Sequence, residues 1–399
     1  MGIGAYCYLL NALILSARIP FLDRLFGHDK VLVFHGYYAA AGFLLAIGHI
    51  VFKMEYFSEP TVQTASGIVA MVIFAAVVTV TPLLMVKSPV HRIRALERLW
   101  RVLSRTRVCD YNRLKLFHNS VAFAVLLIGI HVYLASSTQE SLLRMALMGA
   151  WAGLALAVYL YHKFLRVLLL RRKRWALKGC SGLAPGICEF SLERDGRPLE
   201  KHRAGQFAYL RLLSPECGSE EHPFTISSAP GSRELKFTVK ALGDYTAKLG
   251  NVPVGTTALV DGSYGVFVPE QAGCPVLFVA GGIGITPFLS VLGSWQEVAL
   301  TVPVTLLWSC RTSRDMVHRE FIDGFAAKHS TFRFLPVITR EGAGDRRVDP
   351  DLLRRAIPKD DVQRVRVYFC GPDGMRRSVS KALVAMGVRR AQIHYERFS

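Results

Sequence analysis

Apolar positions fall into two rhythms along the chain, and the change comes near residue 170. Before it they run in blocks: residues 1–17, 31–52, 66–86, 117–139 and 145–162 are nearly free of charge. About 20 apolar residues at 1.5 Å rise cover the roughly 30 Å of a bilayer's hydrocarbon core, so the blocks predict transmembrane helices. The first block is short and lacks the basic leader of a signal peptide, Arg18 lying after the apolar run; it reads as a short or truncated span. Beyond residue 171 apolar residues alternate with polar ones between Gly and Pro. Residues 186–194, 205–213, 222–229, 234–242 and 256–265 predict short strands of a small antiparallel β-barrel. From residue 274 strand and helix patterns take turns, at 275–292, 302–310, 331–339 and 365–383, which predicts a parallel sheet in an α/β domain. The expected organisation is a multi-domain membrane protein: an α-helical bundle over 1–170, an antiparallel β-barrel over 171–268 and an α/β domain over 269–399.

Composition agrees with a membrane protein, since 51% of the 399 residues are hydrophobic. The net charge of +19 suggests nucleic acid only until its distribution is read. Residues 87–115 hold nine Lys or Arg against two acids, and residues 166–178 hold six against none, while the connections 53–65 and 136–141 are short and nearly neutral. That asymmetry is the positive-inside pattern of a multi-pass plasma-membrane protein. It places residues 18–30, 87–116 and everything after 163 in the cytoplasm, puts the N-terminus outside, and argues against nucleic acid as a partner. Residues 91–115 predict a basic amphipathic helix, read as adhering to the inner leaflet rather than docking a domain.

Histidines change the picture. His35 and His49 lie inside one apolar block and His118 and His131 inside another, where hydrocarbon does not solvate an imidazole. A step of fourteen residues returns to within about 40° of the same helix face and rises about 21 Å, so His35 and His49 point one way at two depths. A lone membrane histidine is most simply a hydrogen-bonding residue between helices. Four, paired by depth, predict two bis-histidine haems, one between His35 and His118 and one between His49 and His131. No CxxCH occurs, so the haems are expected to be b-type; no CxxC occurs among the eight cysteines either. The thirteen-residue step from His118 to His131 leaves an ideal helix about 140° out of phase. A wide turn hosted by Gly129 is the expected remedy. His28, His91 and His162, near membrane ends, read as structural.

Glycine carries the remaining chemistry. Val279-Ala280-Gly281-Gly282-Ile283-Gly284-Ile285-Thr286-Pro287 follows a strand and opens a helix, the setting in which backbone closes on a pyrophosphate. Cys370-Gly371-Pro372 ends a later strand of the same domain. With His222-Pro223-Phe224-Thr225 and the four-histidine membrane domain, these motifs resemble the NADPH oxidase branch of the ferric reductase superfamily, the prokaryotic NADPH oxidases above all. The resemblance covers essentially the whole chain, and histidine spacings of fourteen and thirteen are the family's own.

The resemblance implies a ferredoxin-reductase-like module and roles for its residues. His222, Pro223, Phe224, Thr225 and Ser227 would bind FAD, Phe224 beside the isoalloxazine and Thr225 near its reactive nitrogen. Lys240, Gly243 and Thr246 match a second FAD segment, although by themselves they read as strand and turn. His222 stands where soluble ferredoxin reductases have Arg, which lowers the fixed charge facing the FAD pyrophosphate and implies weak FAD retention. Gly281, Gly282, Gly284, Thr286, Gly371 and Pro372 would cradle NADPH, with Cys370 near the hydride path. Arg311, with Arg314 nearby, would read the 2′-phosphate and favour NADPH over NADH. Phe398 resembles the terminal aromatic that covers the flavin. The family has six spans against five counted here, so its first helix reads as absent from this chain's start.

The implied activity passes electrons from cytosolic NADPH through FAD and two b-type haems to molecular oxygen outside, forming superoxide. A ferric-chelate reductase would use the same path. A third reading, a flavin reductase on a purely anchoring bundle, leaves the histidines as packing residues. No D-x-[DN]-x-[DN]-G loop is present, so calcium control through this chain is not expected, nor is an obligatory protein partner.

Overall fold

The structure, a computed structural model, describes residues 1–53, 61–84, 97, 98, 102, 111–194, 199, 202–218, 220–271, 273–341 and 347–396. Most of the expected basic amphipathic helix, including His91, lies outside the described residues. The chain forms two compact units, Met1–Leu22 with Lys30–Val167, and Asp23–Asp29 with Leu168–Ser399.

The first unit is helical: α1 (Gly2–Leu15), the start of α2 (Pro20–Phe26), most of α3 (His28–Lys53), α4 (Val62–Leu84), α5 (Tyr111–Asn119), α6 (Val121–Tyr133) and α7 (Leu142–Leu160). Among the described residues four helices are long and apolar enough to cross a membrane: His28–Lys53, Val62–Leu84, Arg113–Tyr133 and Leu142–Arg172. A fifth exists if the bent pair α1 and α2 is one span. The shared interior sets Tyr6, Leu9, Leu10 and Leu13 of α1 against Ala70 and Phe74 of α4, Ala124 and Val125 of α6 and Ala155 of α7. The alanines are fully buried, and small side chains at such contacts let helix backbones approach closely. Tyr6 spends its hydroxyl inside the bundle, donating to Met148 O at 2.8 Å.

The second unit holds two sheets. Strands β1 (Trp175–Ala184), β2 (Ile187–Glu193), β3 (Phe207–Leu212), β4 (Glu221–Thr225), β5 (Leu235–Lys240) and β6 (Thr257–Tyr264) form an antiparallel sheet in the order β4-β3-β6-β1-β2-β5. Among the described residues no ladder closes the expected barrel between its end strands; Ser227 N–H, just past β4, donates to Lys236 O of β5 at 2.8 Å across the gap. Inward residues Leu177, Phe190, Leu192, Leu210 and Phe237 are fully buried, as strand alternation requires. Strands β7 (Val276–Gly281), β8 (Val304–Cys310), β9 (Phe332–Ile338), β10 (Arg366–Cys370) and β11 (Ile393–Glu396) form a parallel sheet in the order β11-β10-β7-β8-β9. Its centre, β7, is buried along its whole length.

Residues 23–29, part of the segment 18–30 that the charge pattern places in the cytoplasm, fold with the antiparallel sheet. Gly265 N–H donates to Asp23 Oδ2 at 3.1 Å, and His28 Nε2 lies 2.8 Å from the Tyr209 hydroxyl. The His28 ring sits among Phe207, Tyr209 and Tyr264 at 5.7 to 6.0 Å between centroids. His28 is thus structural, as the sequence suggested.

Candidate functional site

Helix periodicity brings the four membrane-block histidines together two by two. The His35 and His118 rings stand 6.2 Å apart between centroids, and so do those of His49 and His131. His35 Nδ1 lies 2.8 Å from Ala12 O, and His131 Nδ1 2.8 Å from Gln63 O. A carbonyl only accepts, so each Nδ1 carries the proton and each Nε2 keeps its lone pair free. His118 Nδ1 is 3.3 Å from the Thr81 hydroxyl. Glycine makes room for the rings: a Cβ on Gly67 would come within 2.5 Å of His131, and one on Gly2 within 3.1 Å of His49.

The thirteen-residue step is solved in the opposite sense to the expected wide turn. Gly129 lies inside the regular helix α6. The break is at Ser120 (φ −60°, ψ −17°), between α5 and α6, where Ser120 N–H reaches Phe117 O three residues back. Such a tight turn advances further per residue than an α-helix, so thirteen residues do the rotation of nearly fourteen. A wide turn loses rotation and carries His131 the wrong way. The Ser120 hydroxyl, bonded to the same Phe117 O at 2.7 Å, supports the tight geometry.

In the second unit the two expected flavin segments meet. Strand β4 pairs with β3, setting Thr225 opposite Phe207 and Phe224 opposite Ala208. The His222 ring stacks on Tyr245 at 3.9 Å, which joins the HPFT strand to helix α8 (Asp244–Lys248). His222 Nε2 lies 3.0 Å from Glu220 Oε2. Thr225 is buried, and its hydroxyl has no hydrogen-bond partner among the described residues. A buried hydroxyl left without a partner at the end of a strand is a position where a ligand's polar atom fits. Thr246 caps the loop before α8, its hydroxyl accepting from Leu242 N and Gly243 N. Lys240 points elsewhere: its Nζ is 3.3 Å from Asp315 Oδ1.

The glycine-rich turn after β7 and the Cys-Gly-Pro turn after β10 lie against each other. A Cβ on Gly284 would run into Cys370 O, and one on Gly281 would approach Pro372 Cδ to 2.7 Å. Gly371 comes as close to the Gly281 backbone, with a Cβ there 2.9 Å from its Cα. Gly282 differs, with φ +56° and open space above it. Thr286 caps the turn by donating to Ile283 O, and Pro287 opens helix α9 (Thr286–Trp295). Cys370 is fully buried at the sheet's edge of the turn. Arg311 and Arg314 follow β8, exposed and in no ion pair among the described residues, with Arg340 N–H bonded to Arg311 O at 2.9 Å. Phe398 lies outside the described residues.

Sequence reasoning missed a contact between the two sheets and one within the parallel sheet. Ser290 of α9 donates to Ser228 O at 2.7 Å, three residues after Thr225, and Trp308 Nε1–H donates to Gly282 O at 2.9 Å. Further out, His318 Nε2 lies 3.2 Å from Glu189 Oε2. Burial works to raise the Glu189 carboxyl, but His318 and the Lys236 ammonium outweigh it and hold it below the ordinary range. His202, buried beside Ser228, is pushed down to about 4 by burial, against a hydrogen bond with the Ser228 backbone that works the other way. None of these contacts has a local signature, because each joins residues far apart in sequence.

Comparison with known proteins defines the second unit. Residues 187–268 match the FAD-binding domain family and residues 278–381 the oxidoreductase NAD-binding domain family. The 2-halobenzoate 1,2-dioxygenase electron transfer component of Burkholderia cepacia is 29% identical over 219 residues, 53% of this chain and 63% of that protein. The chain thus spans less than two thirds of that relative. Ferredoxin–NADP reductase B of Sorangium cellulosum is 28% identical over 228 residues, 54% of this chain and 93% of that protein. The flavohem-like FAD/NAD-binding domain of nitric oxide dioxygenase from Vibrio cholerae shares the fold at a TM-score of 0.51 and 23% identity, over 57% of this chain and 98% of that one. The chain thus carries a region matching an FAD-binding domain and a region matching an oxidoreductase NAD-binding domain.

Proposed function

We propose that this chain is a transmembrane NADPH oxidase, passing electrons from NADPH through FAD and two bis-histidine b-type haems to molecular oxygen and forming superoxide. The observation that carries the reading is the two histidine pairs. Metal–imidazole bonds of about 2.0 to 2.1 Å in a linear arrangement put ring centroids roughly 6.3 Å apart, and both pairs stand at 6.2 Å. Nδ1 protons given to carbonyls at His35 and His131 are the arrangement that orients a metal-binding imidazole.

When bound, FAD supplies the exchange of a hydride for single electrons and the haems supply one-electron relay. The rest falls to the chain's own side chains. The orphan Thr225 hydroxyl is available to a flavin nitrogen, and Phe224, Ser227, Gly243 and Thr246 line the same segments. Gly282 leaves the space that a nicotinamide dinucleotide needs, and Gly281, Gly284, Gly371 and Pro372 set its floor next to Cys370. The exposed guanidinium of Arg311, in no ion pair among the described residues, favours the 2′-phosphate of NADPH. At each level the two imidazoles, His35 with His118 and His49 with His131, would hold a haem iron, which would supply one-electron transfer. The positive-inside pattern supports a cytoplasmic second unit in a plasma-membrane protein, and a cytosol that is electrically negative favours electron export by about 2.3 kcal/mol per 100 mV.

The test supplies the detergent-purified protein with NADPH, FAD and oxygen, and follows cytochrome c reduction with and without superoxide dismutase. Dismutase-sensitive reduction is expected. Haems that reduce and then stay reduced in air would overturn the oxidase reading and make ferric chelates the next acceptor to try.

A further inference from the structure

Helix α4 contains no histidine, yet it serves both histidines of the α5–α6 span. Gln63 and Thr81 are eighteen residues apart, five turns of 3.6, so they lie on one face of α4 about 27 Å apart. From that face the Gln63 carbonyl holds His131 Nδ1 at 2.8 Å and the Thr81 hydroxyl faces His118 Nδ1 at 3.3 Å. The two contacts differ in kind. The Gln63 and Ala12 acceptors are main chain, present whatever the side chain is. Thr81 is the one side chain among the described residues that is hydrogen-bonded to any of the four rings, so at the His35–His118 pair the orientation of one ring depends on a replaceable group.

We propose that Thr81 is a positioning residue that holds the Nδ1 proton of His118 and thereby lowers the electron affinity of the haem between His35 and His118 relative to its neighbour; this rests on the bis-haem reading above. An acceptor on Nδ1–H makes the imidazole a more basic ligand, and a more basic ligand favours the oxidised metal. Each level thus has one carbonyl-held ring, and the Thr81 hydroxyl adds a second, weaker hold at one level alone. His49, the other ring without a main-chain acceptor, has no hydrogen-bond partner among the described residues, so the two levels are chemically unequal. Thr79, two residues away, serves as the control, since its hydroxyl is turned back to Ala75 O at 2.7 Å.

The experiment measures both haem midpoint potentials by spectroelectrochemistry in the full-length protein and in Thr81→Val, Thr81→Ser and Thr79→Val. Valine keeps the shape of threonine and removes the acceptor. One midpoint is expected to rise in Thr81→Val and the other to stay, with Thr81→Ser and Thr79→Val both like the parent. If Thr81→Val does not assemble, Thr81→Ala is read in its place, with the same expected rise. Unchanged midpoints, a fall, or an equal displacement of both would overturn the role of Thr81 while leaving the bis-haem reading intact. A parent protein with no b-type absorbance would remove the reading itself, and the inference with it.

Discussion

In the helical unit the candidate ligands are side chains and their supports are mostly backbone: Ala12 O and Gln63 O face His35 and His131 at 2.8 Å. In the second unit the arrangement is reversed. The glycine-rich and Cys-Gly-Pro turns present backbone toward the candidate nucleotide site, while the side chains of Thr286 and Trp308 hold the glycine-rich turn in place. The difference teaches where each site is vulnerable. A side-chain site fails by losing one group and leaves its scaffold standing, whereas a backbone site fails when any side chain intrudes on the close approach.

The largest expected effect separates the two units. His118→Ala should remove a b-type haem's absorbance and all superoxide formation, yet leave NADPH oxidation by a soluble one-electron acceptor near the parent rate; difference spectra and the two assays check this. If both activities fall together, the units are not separable in this way. Gly284→Ala attacks the second unit through its backbone. Its methyl group would meet Cys370 O, so the variant should be less stable by ~3 kcal/mol in thermal unfolding. Gly282→Ala, in open space at φ +56°, should lose only the ~1 to 2 kcal/mol of left-handed strain. Equal losses at the two glycines would break the backbone half of the comparison.

Acid sharpens it further. The buried His202 imidazole is held down to about 4 from an ordinary 6.5, so the unfolded chain takes up a proton that the folded chain refuses. Its contribution is intact above about pH 6.5 and lost as pH falls toward 4, up to about 3 kcal/mol in all. His202→Gln should flatten that limb when unfolding is followed by tryptophan fluorescence across this range. The smallest effect is expected at Arg311. Arg311→Ala should raise KM for NADPH about tenfold, near 1.4 kcal/mol, with KM for NADH unchanged.

Legibility in the sequence follows the same division. The His35–His49 step of fourteen is plain because helix geometry is regular, and the glycines of the nucleotide turn are plain because nothing else fits a close backbone approach. The tight turn at Ser120 was not, since a serine bonding to its own helix leaves no compositional mark and Gly129 offered a false one. Strand β1 escaped for another reason. Register shifts between Leu177 and Gly179 and between Gly182 and Ala184 break the period-two pattern that betrays a strand. Four-residue β11 is too short for any period to show. The contacts of Glu189, His318 and Ser290 depend on which strands become neighbours, which local pattern does not encode.

The attachment of Asp23–Asp29 to the antiparallel sheet has a consequence for how the chain is made. His28 and Tyr209 are 181 residues apart, and at roughly 5 to 20 residues per second a ribosome needs about 10 to 40 s to travel between them. During that interval the segment waits without its aromatic surroundings, while helices α4 to α7 of the first unit are synthesised. The flavin-domain sheet is therefore completed by residues translated before all of its own strands, and a fragment beginning at residue 168 would be born with Phe207, Tyr209 and Tyr264 lacking the residue that their sequence-distant fold partner supplies.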